Sequence, residues 1–188
     1  MPAEGGTVTT LTRAVWTIDP VHSSVEFSLE YMSLSLYRTG FRALEGTLHF
    51  DPSRPADASV TASIPVASVD VTNERLMDRL MDPDLLGGKD HPTITFQSTR
   101  VEPTGAQHLK VTGDLTIHGI TRSVVLDTRY LGQGTHPVSG KTVGTFRADT
   151  EIDRGDFGVT FNAPLEGGGT YVGSRVHISL IIAAIRQD

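Results

Sequence analysis

The chain has 188 residues, 22 acidic against 16 basic side chains, a formal net charge of −6 and no cysteine. Thiol nucleophiles, disulfides, iron–sulfur clusters and thiolate zinc sites are thereby excluded. The interspersed, net acidic charge argues against a nucleic-acid surface or a polybasic membrane patch, and no apolar run approaches the length of a membrane span.

Residues 1–13, MPAEGGTVTTLTR, are small and polar without a period and predict a flexible leader to a single domain over 14–188. They lack a basic stretch followed by an apolar one, so no secretory signal is read and a cytoplasmic location is expected. From Trp16 onward, period 2 takes over. In HSSVEFSLEYM, Val25, Phe27, Leu29 and Tyr31 fall on one face and Ser24, Glu26, Ser28 and Glu30 on the other, the pattern of a half-buried strand. The alternation returns with Leu48 and Phe50, with Val60, Ala62 and Ile64, and with Ile94 and Phe96. It continues with Val111, Leu115 and Ile117, with Phe146, Ala148 and Ile152, and with Val176, Ile178, Leu180 and Ile182.

Between the third and fourth of these runs, VTNERLMDRLMDPDLLGG places Leu76, Met77, Leu80 and Met81 at helical spacing. A short α-helix is expected there, with Thr72 as its N-cap and Pro83 as its stop. Its apolar stripe needs a surface to cover, and an open barrel end supplies one. LGQGTHPVSGKTVG, residues 131–144, reads as a Gly-rich hairpin loop, and 153–173 as a longer loop carrying Phe157, Phe161 and Tyr171. The fold class that follows is all-β, an antiparallel barrel of about eight strands, because closure removes the exposed edges of an open sheet.

No catalytic constellation stands out. His22, His49, His91, His108, His118, His136 and His177 are scattered, with no pair at ligand spacing, so no metal site is expected. Asp19, His22 and Ser23 are close in sequence, but no nucleophile elbow accompanies them, and an Asp before Pro is more simply a turn. Asp82 with Asp84 and Asp149 with Glu151 lack the apolar surroundings that separate the pKa values of a catalytic pair. In GDLTIHGITRSVVLD, residues 113–127, His118 and Gly119 read as a hairpin turn, the Gly taking a positive φ and the His bonding local backbone. A small barrel of this kind is either filled by side chains or holds one slender ligand, and an apolar-ligand carrier is the leading expectation.

Five blocks carry a resemblance to a known family: WTIDPVHSSVEFS, FRALEGTLHFDP, ASVDVTNERLMDRLMDPDLLGGKDHPTITFQST, VTGDLTIHGITRSVVLD and IDRGDFGVTFNAPLEGGGTYVG. Together, over about residues 15–186, they resemble the YceI family of lipocalin-like bacterial proteins associated with polyisoprenoid binding. The resemblance implies an elongated eight-stranded barrel with a short helix near one end, enclosing a tunnel for a polyprenyl chain, an isoprenoid quinone or a similar lipid. It implies a binding protein and not an enzyme, no cofactor beyond the bound lipid, and a homodimer in some members. The residues it assigns to the ligand are Phe27, Leu29, Tyr31, Phe41, Phe50, Ile64, Met77, Leu80, Met81, Phe96, Phe146, Phe157, Phe161 and Asn162, with Asn162 equally suited to fixing its loop. Tyr31 stands where the family often has His, which leaves Arg38 and Arg42 as the cations near a diphosphate head. Two other functions compete: a metal- or haem-dependent enzyme using the barrel as a cup, and a solidly packed, stress-associated interaction module.

Overall fold

The computed structural model describes residues 14–187, and the expected leader over 1–13 lies outside them. Within that range the period-2 segments form ten antiparallel strands that build eight staves of a closed barrel. The difference in number arises because the first two staves are each broken in two. β1 (Val15–Ile18) and β2 (Ser24–Tyr31) lie end to end along the 16-residue β10 (Val172–Gln187). Val15 pairs with Gln187 and Ile18 with Ala184, while Ser24 pairs with Ile181 and Tyr31 with Val172. β3 (Ser35–Phe41) then follows β2, and β4 (Glu45–His49) follows β1, as the second broken stave. β5 (Ser59–Pro65), β6 (Thr93–Pro103), β7 (His108–Ile117), β8 (Ile120–Thr135) and β9 (Thr142–Asp153) complete the ring back to β10. Each stave has a paired neighbour on both sides over part of its length, which removes most of the edge of an open sheet; the exception is β3, with β2 on one side and only the Phe41–Val69 bridge on the other.

The barrel has two unlike ends. At the tryptophan end Trp16 is 2% exposed and its indole N–H donates to the Phe50 carbonyl at 3.0 Å. At the opposite, helix end the seam between β3 and β5 opens, and residues 66–70 fill it through a bridge of Phe41 with Val69 and bonds from Arg42 N to Ser68 O (2.7 Å) and Asp70 N to Gly40 O (2.8 Å). α1 (Glu74–Leu80) follows that segment. Its N-cap is Asn73, not Thr72: the Asn73 side chain accepts from Leu76 N at 3.1 Å, satisfying one of the free N–H groups of the first turn. The helix stops before Asp82-Pro83 as the sequence demands.

Two loop expectations change. Most of 131–144 is strand, since β8 runs to Thr135 and β9 begins at Thr142, leaving 136–141 as the turn. His118 and Gly119 do form a two-residue turn, with φ of +55° and +71° between the paired Ile117 and Ile120. The His118 ring, however, bonds no local backbone. Its Nδ1 is buried without a hydrogen-bond partner among the described residues, and the ring meets His91 edge to face at 5.1 Å.

Candidate functional site: an apolar tunnel along the barrel

The inward faces of the staves enclose a cavity of about 280 Å³. It extends from His49, Phe50, Val101 and Leu109 at the tryptophan end to Leu85, Leu86, Phe157 and Val172 at the helix end. Its walls are the alternate residues of each strand: Val25, Phe27 and Leu29 of β2, Val111, Leu115 and Ile117 of β7, and Val176, Ile178, Leu180 and Ile182 of β10. Alternation alone would put a side chain at residue 113 as well. Gly113 occupies that inward position, where a Cβ would lie 2.4 Å from the Phe96 ring and 2.7 Å from the Gln97 carbonyl, so its bareness is what lets Phe96 lie across the wall.

The few polar wall residues are largely committed to backbone. Thr150 Oγ1 donates to Val125 O at 2.8 Å and Thr128 Oγ1 to Leu126 O at 3.2 Å. Arg154 is buried, and its guanidinium donates to three carbonyls: Nη1 to Val159 O (2.7 Å), Nε to Gly173 O (2.8 Å) and Nη2 to Val172 O (3.1 Å). Burial lowers its pKa, with the neighbouring Asp153 charge acting in the opposite sense. Among the described residues no carboxylate forms an ion pair with it, so the three carbonyl dipoles carry the compensation. The result is a cation used as a clamp on the 159 and 172–173 segments.

Of the residues the sequence assigned to the ligand, Phe27, Leu29, Phe41, Phe50, Ile64, Leu80, Phe96, Phe146 and Phe157 stand in the tunnel wall. The others do not. α1 contributes Leu80 alone: Met77 is half-buried beside it, and Met81 packs with Val66 in the helix-end core. The i, i+4 stripe predicts one surface, but the seven-residue helix presents only Leu80, in its last turn, to the lumen. Tyr31 turns toward Tyr171, ring centroids 5.3 Å apart, and the neighbouring Tyr31 phenol, with burial, pushes the Tyr171 pKa up. Phe161 lies under the Arg79 guanidinium at 4.5 Å. Asn162 fixes its loop, donating from Nδ2 to Val172 O (3.0 Å) and accepting at Oδ1 from Val172 N and Ala163 N.

The cations expected near a head group face elsewhere. Arg38 is exposed on the outer side of β3, opposite Ser28, and Arg42 is paired with Asp70 on the surface. The wall cation is Arg154, which the sequence reading missed although the signal was present. Inward residues 146, 148, 150 and 152 continue at the same period to 154, beyond the strand's end at Asp153. Leu85 and Leu86 were also missed, because DPDLLGG has no period; its backbone holds them, with Leu86 N bonded to Leu80 O at 2.9 Å.

No catalytic grouping assembles among the described residues. Asp19 Oδ2 meets His22 Nδ1 at 2.7 Å, yet Ser23 Oγ bonds Ala183 instead, donating to its carbonyl (3.2 Å) and accepting from its N–H (3.0 Å). Asp82 and Asp84 both serve Arg79, whose Nη atoms reach the two Asp84 oxygens at 2.6 Å. No group of three or more His or carboxylate residues is placed to hold a metal ion among the described residues. No helix there is long and apolar enough to cross a membrane.

Comparison with known proteins places these features in company. A family model described as YceI-like domain matches residues 16–184. The protein YceI of Escherichia coli O157:H7 is 35% identical over 138 residues, 73% of this chain and 71% of that protein. A UPF0312 protein of Azotobacter vinelandii is 33% identical over 138 residues, with coverage of 73% and 71%. The crystal structure of Burkholderia cenocepacia BcnA superposes with a TM-score of 0.75 at 24% identity, covering 88% of this chain and 98% of that one. A structure titled as a polyisoprenoid binding domain from Saccharophagus degradans, implicated in plant cell wall breakdown, gives a TM-score of 0.65 at 12% identity over 94% of this chain and all of that one. At these identities the two structures speak for the fold.

Proposed function

The chain belongs to the YceI-like domain family, and from that premise we propose that it binds a long apolar chain of the isoprenoid type in the tunnel of its barrel, carrying or storing it without chemical change. The observation that carries the reading is the tunnel itself: a lumen running along the barrel, walled by Val, Ile, Leu and Phe, in which Thr128, Thr150 and Arg154 are committed to backbone carbonyls. Such a wall offers a chain roughly 25 cal/mol for each Å² of apolar surface removed from water, offset by the cost of ordering the chain. The polyisoprenoid-binding title of the Saccharophagus domain supports the class of ligand by analogy of fold.

A neutral or small head group, as on a polyprenol or an isoprenoid quinone, suits this site better than a diphosphate. Arg42 is taken by Asp70, Arg38 faces outward, and Arg154 already donates to three carbonyls. The test is organic extraction of protein purified from cells, followed by mass spectrometry. An apolar chain at near-stoichiometric yield is expected; extracts without one, together with no uptake of added polyprenols, overturn the proposal.

A further inference from the structure

We propose that the turn joining β2 to β3 is a contact for a lipid surface, seating the helix end of the tunnel on a zwitterionic bilayer. The purpose of such a contact rests on the function proposed above; the contact itself does not.

Residues 31–37, YMSLSLY, contain no charged side chain. Leu34 is 84% exposed and Leu36 67%, with Tyr31 and Tyr37 more than a third exposed beside them. The other large exposed apolar side chains, such as Val21, Val125, Leu131 and Val138, occur singly on other strands and turns. A concentration of this kind on an otherwise polar surface marks an interaction site.

The tip is also pre-shaped. Met32 and Ser33 both hold positive φ, +55° and +56°, a region that side chains larger than glycine enter at a cost. The surrounding structure enforces it: Met32 N donates to Tyr171 O at 2.8 Å, and the Tyr31 and Tyr171 rings meet edge to face. Little conformational freedom remains to be lost when the tip docks. It stands next to the lumen as well. Tyr31 pairs with Val172, a tunnel-wall residue, and Leu29, two residues before it, is another.

Charge selects the surface. Glu30 precedes the tip and Arg38 follows it, Arg175 in the β10 bulge beside Glu30 is paired with Glu151, and the chain as a whole carries −6. An anionic bilayer is repelled, whereas a zwitterionic one matches an uncharged tip rich in Leu and Tyr, the residue types that enter the headgroup boundary. The competing occupant is a second copy of the chain, added as a strand along β3, which has only β2 beside it over Ser35–Arg38. A strand there would cover the backbone of β3 and leave Leu34, the most exposed leucine, in water. A bilayer takes Leu34 first.

The experiment is flotation of the full chain with phosphatidylcholine vesicles, comparing it with Leu34→Ser/Leu36→Ser and with Val138→Ser, an exposed valine at the opposite end. Both leucines are exposed, so the melting temperature of the double variant should hold. We expect the wild-type protein and Val138→Ser to float, the double variant to lose on the order of tenfold in vesicle-bound fraction, and anionic lipid to weaken binding. Failure of the wild-type protein to float overturns the proposal. So does equal flotation of the double variant, or a double variant whose only change is loss of a dimer. Delivery of a polyprenol from cyclodextrin keeps the two readings apart. If neither protein takes it up while the wild-type protein still floats, the carrier function falls and the lipid contact stands.

Discussion

The two ends of the barrel are closed by different means. At the tryptophan end the staves themselves carry the closure: Phe50, Tyr130 and Phe146 form a mutual set of rings with centroids 4.9 to 5.2 Å apart, and the Trp16 indole is hydrogen-bonded to the Phe50 carbonyl. At the helix end closure is delegated to loops. The segment 66–92, the β7–β8 turn and the loop after β9 meet there, held by the Arg154 clamp, by Arg79 between Asp84 and Phe161, and by the His91–His118 contact. Ring packing within strands can be undone only by unfolding. The contacts at the helix end, the apolar ones among Val66, Phe157 and Val159 included, join loops and not paired strands and can open locally at smaller free energy, so passage of the proposed ligand is expected there.

The largest expected effect probes the first half of that contrast. Phe50→Ala should cost about 3 to 5 kcal/mol of unfolding free energy, measured by urea denaturation, while changing the rate of ligand release less than variants at the helix end do. A reversed order of release rates would exchange the roles of the two ends. Next, Arg154→Met removes the donors of three carbonyls at once and should cost about 3 kcal/mol. It should also raise amide exchange around residues 159 and 172–173, which a uniform loss of stability would not single out.

Smaller still is Gly158→Ala. Gly158 has φ of +72°, and an added Cβ would sit 3.0 Å from Ile120 Cδ1 and 3.1 Å from His118 Nδ1. A loss of about 1 to 2 kcal/mol is expected, with faster exchange in the 81–92 segment, because His118 packs against Gly87 on its other side. The smallest effect is one of pH. The Arg79 guanidinium beside Asp84 holds its carboxyl below the usual carboxylate range. The folded form therefore gains stability from Asp84 above the ordinary carboxylate pKa of about 4 and loses it as pH falls through the lowered value. Asp84→Asn should flatten the acid limb of the stability profile without moving the neutral plateau's shape. An unchanged acid limb would remove Arg79 from the list of ties.

The same division separates what the sequence revealed from what it hid. The staves were legible because period 2 ties inward position directly to side-chain type, and Phe27, Phe50, Phe96 and Phe146 stand in the wall as that period requires. The break of the first stave was not: residues 19–23 read as a turn, and only the long run of β10 shows that the strands on either side share one partner. The helix end was least legible, since its geometry depends on contacts between segments far apart in sequence. Nothing local tells Leu80 from Met77, or shows that the His118 ring lies against His91. Arg154 is the exception, a residue whose inward aim follows from the period of the strand before it.

β10 has a consequence for how the molecule comes into being. It is the last of the described strands, and it pairs with β1, the first of them, Trp16 opposite Arg186, and with β2 over most of the rest of its length. While the polypeptide is being synthesised, the first stave has no partner on that side. The ring closes only after β10 has left the ribosome. Folding is then governed by contacts between opposite ends of the chain, a slow class of closure during which apolar strand edges are exposed. The lumen is therefore enclosed only once β10 is in place, and an occupant can be held in it only from then on.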